Sequence, residues 1–414
     1  MAGRERLGPE VFDLPVAEIR IGYRSAVYFS RAKRILERER PKTVVTAQVF
    51  QKREAVLCGI DEALAILRVG AGSWADPAKA AEIFEAYLDA RLDARRLRLG
   101  DVEASARART RQMDLETELD RLWVPGFDRL DVTALADGDE IGPWETVLSI
   151  AGPLHLFAHL ESVYLGVLAR RTKIATNVAR VVEAARGKPL LFFADRFDHF
   201  ATQGGDGYAA RIAGARGVAT DAMAAWWGEK GLGTMPHALI AAYHGDTVEA
   251  TAAFGRHIPE ADLIALTDFN NDCVTDSVAC ARAFGERLWG IRLDTAGTMV
   301  DRAITPDRMG DFDPTGVNVP LVRLVRDALD AEGFEHVKVI VSGGFTAERI
   351  TAFEAQDAPV DAYAVGSALL RGSIDFTADV VAVDGRAIAK KGRRFRPNRR
   401  LRPVGQPGAL DPNR

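Results

Sequence analysis

From Pro189 to Ser367 short apolar runs that end in polar residues alternate with amphipathic stretches. The runs are LLFFAD (190–195), GVATD (217–221), GTMPH (233–237), DLIALTD (262–268), GIRLDT (290–295), VKVIVSGG (337–344) and DAYAVGS (361–367). Between them, segments such as DSVACARAFGERL and PLVRLVRDALDAEGF repeat their apolar residues at helical spacing. Strands alternating with helices predict right-handed crossovers and a parallel sheet. Seven such units fit a doubly wound sheet or a barrel short of one unit. Polar residues close nearly every run instead of gathering at one switch point, which favours an α/β fold with an incomplete seven-stranded parallel β/α barrel.

The flanking regions follow other patterns. Before Gly152 a helix-like SAVYFSRAKRILERER leads to an alternating strand, TVVTAQVF, and a second helix, GIDEALAILRVG. Residues 76–123 are rich in Ala, Arg, Leu and Glu, the composition of a solvated helical insertion. Strands return with LDVTAL and WETVLSIAG, and a long helical stretch covers Leu154 to Arg186. Near the C-terminus DVVAVDGRAIAKKGRR reads as a hairpin turning at Asp384-Gly385. The expected organisation is an N-terminal α/β domain over 1–152, a barrel over 153–375, and a basic C-terminal segment over 376–414.

Composition narrows the function classes. The 414 residues are 47% hydrophobic and 27% charged, as in a globular chain with a large core, not a disordered or collagenous one. A net charge of −4 gives no global attraction to nucleic acid or acidic lipid. Lys390 to Arg402 holds eight Lys or Arg in thirteen residues. Without a recognition module, this run reads as a basic strand packing on acidic neighbours, and nucleic acid is not an expected partner. Cys58, Cys273 and Cys280 have no metal-ligand spacing and read as reduced thiols. The N-terminus has no apolar leader pattern and no stretch approaches the roughly 18 apolar residues of a membrane span, so a cytoplasmic protein is expected.

In a parallel barrel the ends of the runs surround one mouth: Asp195-Arg196, Thr220-Asp221, His237, Asp268, Arg292 with Asp294-Thr295, Ser342-Gly343-Gly344, and Gly366-Ser367. The last two sets suit a phosphate, because small residues let the backbone N–H groups approach an anion. Asp294 suits ribose hydroxyls or a metal held against a diphosphate, and Asp268 is a second candidate metal ligand. Arg196 and Arg292 suit a carboxylate-bearing substrate. His237 reads equally as a hydrogen-bonded mouth residue and as a catalytic one. Between Gly152 and Asp375 the only lysines are Lys173, Lys188, Lys230 and Lys338, none at a run's end, which excludes a Schiff-base aldolase.

The string GTMPHAL (233–239), followed in order by IRLDT, VSGG and VGS, resembles the nicotinate phosphoribosyltransferases, relatives of the nicotinamide and quinolinate phosphoribosyltransferases. AVYFSRAKRIL, EAVLCGIDEAL, ETVLSIAGP and the closing AKKGRRFRPNRRLRPV extend the likeness over most of the chain outside 76–123. The resemblance implies an N-terminal α/β sandwich completed by the C-terminal strands, a seven-stranded incomplete barrel, and a homodimer with shared active sites. It implies nicotinate and phosphoribosyl diphosphate as substrates, ATP as co-substrate and Mg²⁺ as cofactor, in the making of nicotinate mononucleotide for NAD. Carried over, Phe193 and Arg196 hold the pyridine ring, Arg292 its carboxylate, and Asp294 the ribose. Ser342, Gly343, Gly344, Gly366 and Ser367 surround the 5′-phosphate, His237 is phosphorylated from ATP, and Tyr28 stacks on the ring from the other subunit. Departures are Ala26, where relatives have Asp, and the 219–221 segment, where Ala219, Thr220 or Asp221 could face the ring. A quinolinate or nicotinamide enzyme, or a non-catalytic phosphate-sugar-binding barrel, is the competing expectation.

Overall fold

The computed structural model describes residues 6–405. The chain divides into two units, one running to Thr172 and resuming at Ser373, the other Lys173–Gly372.

The first unit is built on a six-stranded antiparallel sheet, ordered Arg386–Ala387, Thr377–Val383, Val44–Phe50, Thr146–Pro153, Asp131–Ala134, Arg402–Pro403. The central strand, Val44–Phe50, is buried along most of its length because both of its edges are paired. Its core joins Val49, Leu148 and Ile150 to Leu57, Ile60, Leu64 and Leu67, the last three on the helix Ile60–Gly70. The C-terminal hairpin turns at Asp384 and Gly385 with φ of 48° and 75°. Two successive left-handed residues match the twist of a two-residue hairpin, which is why Asp-Gly stands there. The basic segment beyond it makes ion pairs: Arg393 with Asp379, and Arg400 with Asp139 and Glu145.

Residues 76–123 form two helices, Pro77–Leu97 and Val102–Leu122, each capped by an Asp side chain, Asp76 and Asp101. Phe84, Tyr87 and Leu119 pack between them, and a short ribbon, Gly72–Trp74 with Trp123–Pro125, closes their base. Arg91 pairs with the buried Glu18, and Arg20 with Asp120.

The second unit carries a curled parallel sheet ordered Ile264–Leu266, Gly290–Leu293, Lys338–Val341, Ala362–Val365, Leu190–Phe192, Gly217–Val218. Among the described residues six strands pair, not seven, since the run GTMPH is extended chain outside the ladder. The residue just before it, Leu232, donates its N–H to the Val218 carbonyl of the last strand at 2.7 Å. Pro236 has no N–H to offer a ladder, and Gly231 runs so close to the neighbouring backbone that a Cβ would lie 2.6 Å from the Thr220 carbonyl carbon. The curled parallel half-barrel otherwise agrees with the incomplete barrel that the alternation of runs predicts, with six strands in place of seven.

Close packing also fixes the helix Gln203–Ile212, where a Cβ on Gly207 would stand 2.2 Å from the Met223 carbonyl oxygen. Gly207→Ala is therefore expected to cost about 1–3 kcal/mol of stability through overpacking. A thermal melt checks this by a Tm several degrees lower. An unchanged Tm would mean that the two segments part freely.

Candidate functional site

Because the strands are parallel, the residues just beyond their C-terminal ends gather at one edge. A cavity of about 390 Å³ opens there, lined by Phe193, Asp195, Arg196, Phe197, Ala219, Arg292, Asp294, Ser342–Phe345, Ala364, Gly366, Ser367 and the segment Leu232–His237. Residues singled out from the sequence thus share one mouth: Phe193, Asp195, Arg196, His237, Arg292, Asp294, Ser342, Gly343, Gly344, Gly366 and Ser367.

Thr220, Asp221, Asp268 and Tyr28 lie outside that lining. Thr220 caps the short helix Asp221–Ala224, accepting from the Met223 N–H and donating to Gln203 Oε1, and Ala219 faces the cavity in its place. Asp221 points to solvent, with 69% of its side chain exposed, and pairs with Lys230. Asp268 sits beneath His237. Tyr28, on the helix Val27–Glu39 of the first unit, is 66% exposed.

His237 is the first residue of a helix, His237–Ala242, that follows the extended Gly-rich segment. Its Nε2 lies 2.9 Å from both carboxylate oxygens of Asp268. A carboxylate only accepts, so the neutral ring carries its proton on Nε2 and keeps the lone pair on Nδ1. The side chain of Asp268 is 8% exposed and that of His237 43%. The hydrogen bond to Asp268 raises the His237 pKa above its ordinary value, against the opposing effect of burial.

Asp294 follows the strand Gly290–Leu293, and Ser342 Oγ donates to its Oδ1 at 2.7 Å. Its Oδ2 lies 3.8 Å from Arg292 Nη1. Arg292 also donates from Nη2 to the Met235 carbonyl at 3.3 Å, while its buried Nε has no hydrogen-bond partner among the described residues. Burial lowers the Arg292 pKa, Asp294 and Asp268 oppose this, and Arg196 adds to it by like-charge repulsion. Two guanidinium groups that repel each other in one mouth are paired best by an anion. The Arg196 guanidinium rests 5.3 Å from the centre of the Phe197 ring.

The two glycine turns disfavour side chains for different reasons, a left-handed backbone in one and a close approach in the other. Gly343 and Gly344 have φ of 86° and 77°, and a Cβ on Gly366 would lie 2.6 Å from the Phe193 carbonyl oxygen. Among the described residues no lysine lines the cavity: Lys188, Lys230 and Lys338 pair with Glu354, Asp221 and Asp361. No three His, Cys, Asp or Glu of the described residues form a metal cluster, and no described helix is long and apolar enough to cross a membrane.

Asp195, Phe197, Met235 and Phe345 also line the mouth. Asp195 is expected at the mouth from its place at the end of a run, and Met235 stands within the run GTMPH. Phe197 and Phe345 carry no sequence signal that separates them from core aromatics.

The chain is 29% identical over 267 residues to the nicotinate phosphoribosyltransferase pncB2 of Mycobacterium tuberculosis, an alignment covering 62% of this chain and 52% of that protein. It is 30% identical over 275 residues to pncB1 of the same organism, covering 64% and 56%. The chain thus spans about half the length of the curated relatives it matches. In fold it matches the crystal structure of nicotinate-nucleotide pyrophosphorylase from Pyrococcus furiosus with a TM-score of 0.67 and 31% identity, over 91% of this chain and 79% of that one. No family model matches the chain.

Proposed function

We propose that this chain, which belongs to the nicotinate phosphoribosyltransferase family of type II phosphoribosyltransferases, joins nicotinate to phosphoribosyl diphosphate with ATP coupling. The observation that carries the reading is the single mouth in which Arg196 and Arg292, His237, Asp294 and two glycine turns meet.

In this reading Arg292 and Arg196 hold the nicotinate carboxylate, and Phe193 packs against the ring. Asp294, oriented by Ser342, binds the ribose hydroxyls, and the turns at 342–344 and 366–367 cradle the 5′-phosphate. The pyridine nitrogen attacks the anomeric carbon and diphosphate departs with the electrons of the broken C–O bond. No base is required, since the nitrogen brings its own lone pair. Catalysis is then alignment of the nitrogen with the breaking bond and stabilisation of charge. Mg²⁺ fits the residues present, because it binds through one or two carboxylates plus substrate phosphates: Asp294 would hold it, with Asp268 engaged by His237, and it would offset the charge of the leaving diphosphate. His237 Nδ1 takes the γ-phosphoryl group of ATP, releasing ADP, and water later returns the ring and free phosphate.

The choice of pyridine rests on the residues at 219–221. An acid facing an amide would suit nicotinamide, but Ala219 lines the cavity and Asp221 turns to solvent. Quinolinate has two carboxylates to grip, and the described lining lacks lysine. The deciding assay is turnover with nicotinate, nicotinamide and quinolinate, each with and without ATP. Mononucleotide from nicotinate, accelerated by ATP, is expected. Carbon dioxide release from quinolinate would overturn the substrate, and no product from any pyridine would return the chain to a non-catalytic sugar-phosphate binder.

Arg292→Lys tests the carboxylate contact, since an ammonium cannot reproduce a planar two-donor fork. It should raise KM for nicotinate by about tenfold or more and leave that for phosphoribosyl diphosphate nearly unchanged. Equal rises in both would sink the assignment. The homodimer, with Tyr28 reaching the partner's ring, rests on the exposure of Val27, Tyr28 and Ile35 along one helix.

A further inference from the structure

Behind the mouth, in the first turn of the helix Ala347–Glu354, Arg349 is held by the rings and carbonyls around it. Its guanidinium lies 4.4 Å from the centre of the Phe345 ring. It donates from Nη1 to the Gly343 carbonyl at 3.0 Å and from Nη2 to the Val317 carbonyl at 2.5 Å. One planar fork therefore joins the turn after Lys338–Val341, the long loop after Gly290–Leu293 and the helix on which Arg349 stands.

The turn needs such support. Gly343 and Gly344 both have left-handed backbones, and a Gly-Gly pair has little stiffness of its own. Gly343 also packs directly on the next strand's end: a Cβ there would lie 3.3 Å from the Asp294 carbonyl oxygen and 3.4 Å from Asp294 Oδ1. Whatever holds the Gly343 carbonyl thus holds the spacing between the glycine turn and Asp294. Burial lowers the pKa of Arg349, with Asp313 opposing, but a guanidinium stays charged, and hydrogen bonds from a charged donor are the strong kind.

We infer that Arg349 is a positioning residue for the phosphoribosyl half of the site, fixing the Gly343–Gly344 turn against Asp294 without lining the cavity. The inference rests on the phosphate role given to those glycines above. An arginine on an amphipathic helix otherwise reads as a solvated side chain, and nothing in the mouth's lining points to this one.

The test compares Arg349→Met, which keeps the stem but loses the fork, with Arg349→Lys, which keeps the charge. Calorimetry on the full-length protein measures Kd for phosphoribosyl diphosphate and for nicotinate. Arg349→Met should weaken phosphoribosyl diphosphate by about tenfold or more and nicotinate by less than about twofold. Arg349→Lys should recover only part of the loss, since one ammonium cannot span two carbonyls in a plane. Amide exchange at 343–345 and 315–317 should quicken in Arg349→Met. Equal weakening of both ligands, or unchanged affinities with a smaller active fraction, would make Arg349 a stability residue and overturn the inference. Wild type that binds phosphoribosyl diphosphate, with Arg349→Met binding it equally well, overturns this inference alone. Wild type that binds none overturns the functional reading and this inference with it.

Discussion

His237→Ala is expected to abolish ATP hydrolysis while leaving slow, ATP-independent formation of the mononucleotide. In the proposed reaction departure of diphosphate draws on Asp294 and the glycine turns, none of which His237 supplies. With labelled ATP, wild type should acquire a phosphoryl group that is acid-labile and stable to base, and the variant none. Equal labelling of both would make His237 a hydrogen-bonded mouth residue and nothing more. The pH dependence has a defined sign. Only the neutral ring has a free Nδ1 lone pair, and the bond to Asp268 raises the pKa of His237. Phosphorylation should therefore rise with pH through a value above the ordinary histidine range, around 6.5. Asp268→Asn removes the carboxylate and should move that rise to lower pH, while also freeing the ring to rotate and slowing the step at its plateau. An unmoved limb would show that another group titrates.

Asp294→Ala should reduce kcat/KM by about 10²–10³-fold, the size of effect expected for a group that stabilises charge at the reacting centre. Asp294 stands between Ser342, 2.7 Å from its Oδ1, and Arg292, so its removal also leaves the guanidinium without its nearby counter-charge. The fold should survive, because the carboxylate lies at a cavity wall and not in the apolar core. Mixed with inactive Tyr28→Ala, the variant should regain activity through hybrid dimers, each carrying one intact site. Confirmed subunit exchange with no recovery would count against sites shared between chains.

Much of this was legible in the sequence for reasons that can be named. The parallel sheet follows from apolar runs alternating with amphipathic stretches, and the mouth from polar residues that end those runs. Asp384-Gly385 announces its turn because few other pairs accept two left-handed residues. The helical segment 76–123 is legible from its wealth of Ala, Arg, Leu and Glu, while the Asp76 and Asp101 caps that bound its two helices emerge only in the structure. What was not legible depends on neighbours far along the chain. GTMPH has the apolar character of a strand, but Pro236 has no N–H to donate to a ladder. At 219–221 the choice among three residues was made by Thr220, whose hydroxyl caps a helix and so turns away from the cavity. Asp268 reads as a candidate metal ligand in the sequence, and its hydrogen bond to His237, 31 positions earlier in the chain, is seen only in the structure.

The C-terminal hairpin bears on how the chain reaches this structure. Val44 donates its N–H to the Asp384 side chain, 340 positions away, and the strand Thr377–Val383 covers one edge of Val44–Phe50. On the ribosome, the first unit therefore emerges with its central strand unpaired on that side. The second unit, by contrast, is one continuous stretch, Lys173–Gly372, with its sheet complete before the hairpin is made. Closing a loop of that length is entropically slow, and an open sheet edge invites pairing with other chains while it waits. The barrel unit should thus mature before the N-terminal sheet, whose central strand gains its second partner only when Thr377–Val383 arrives.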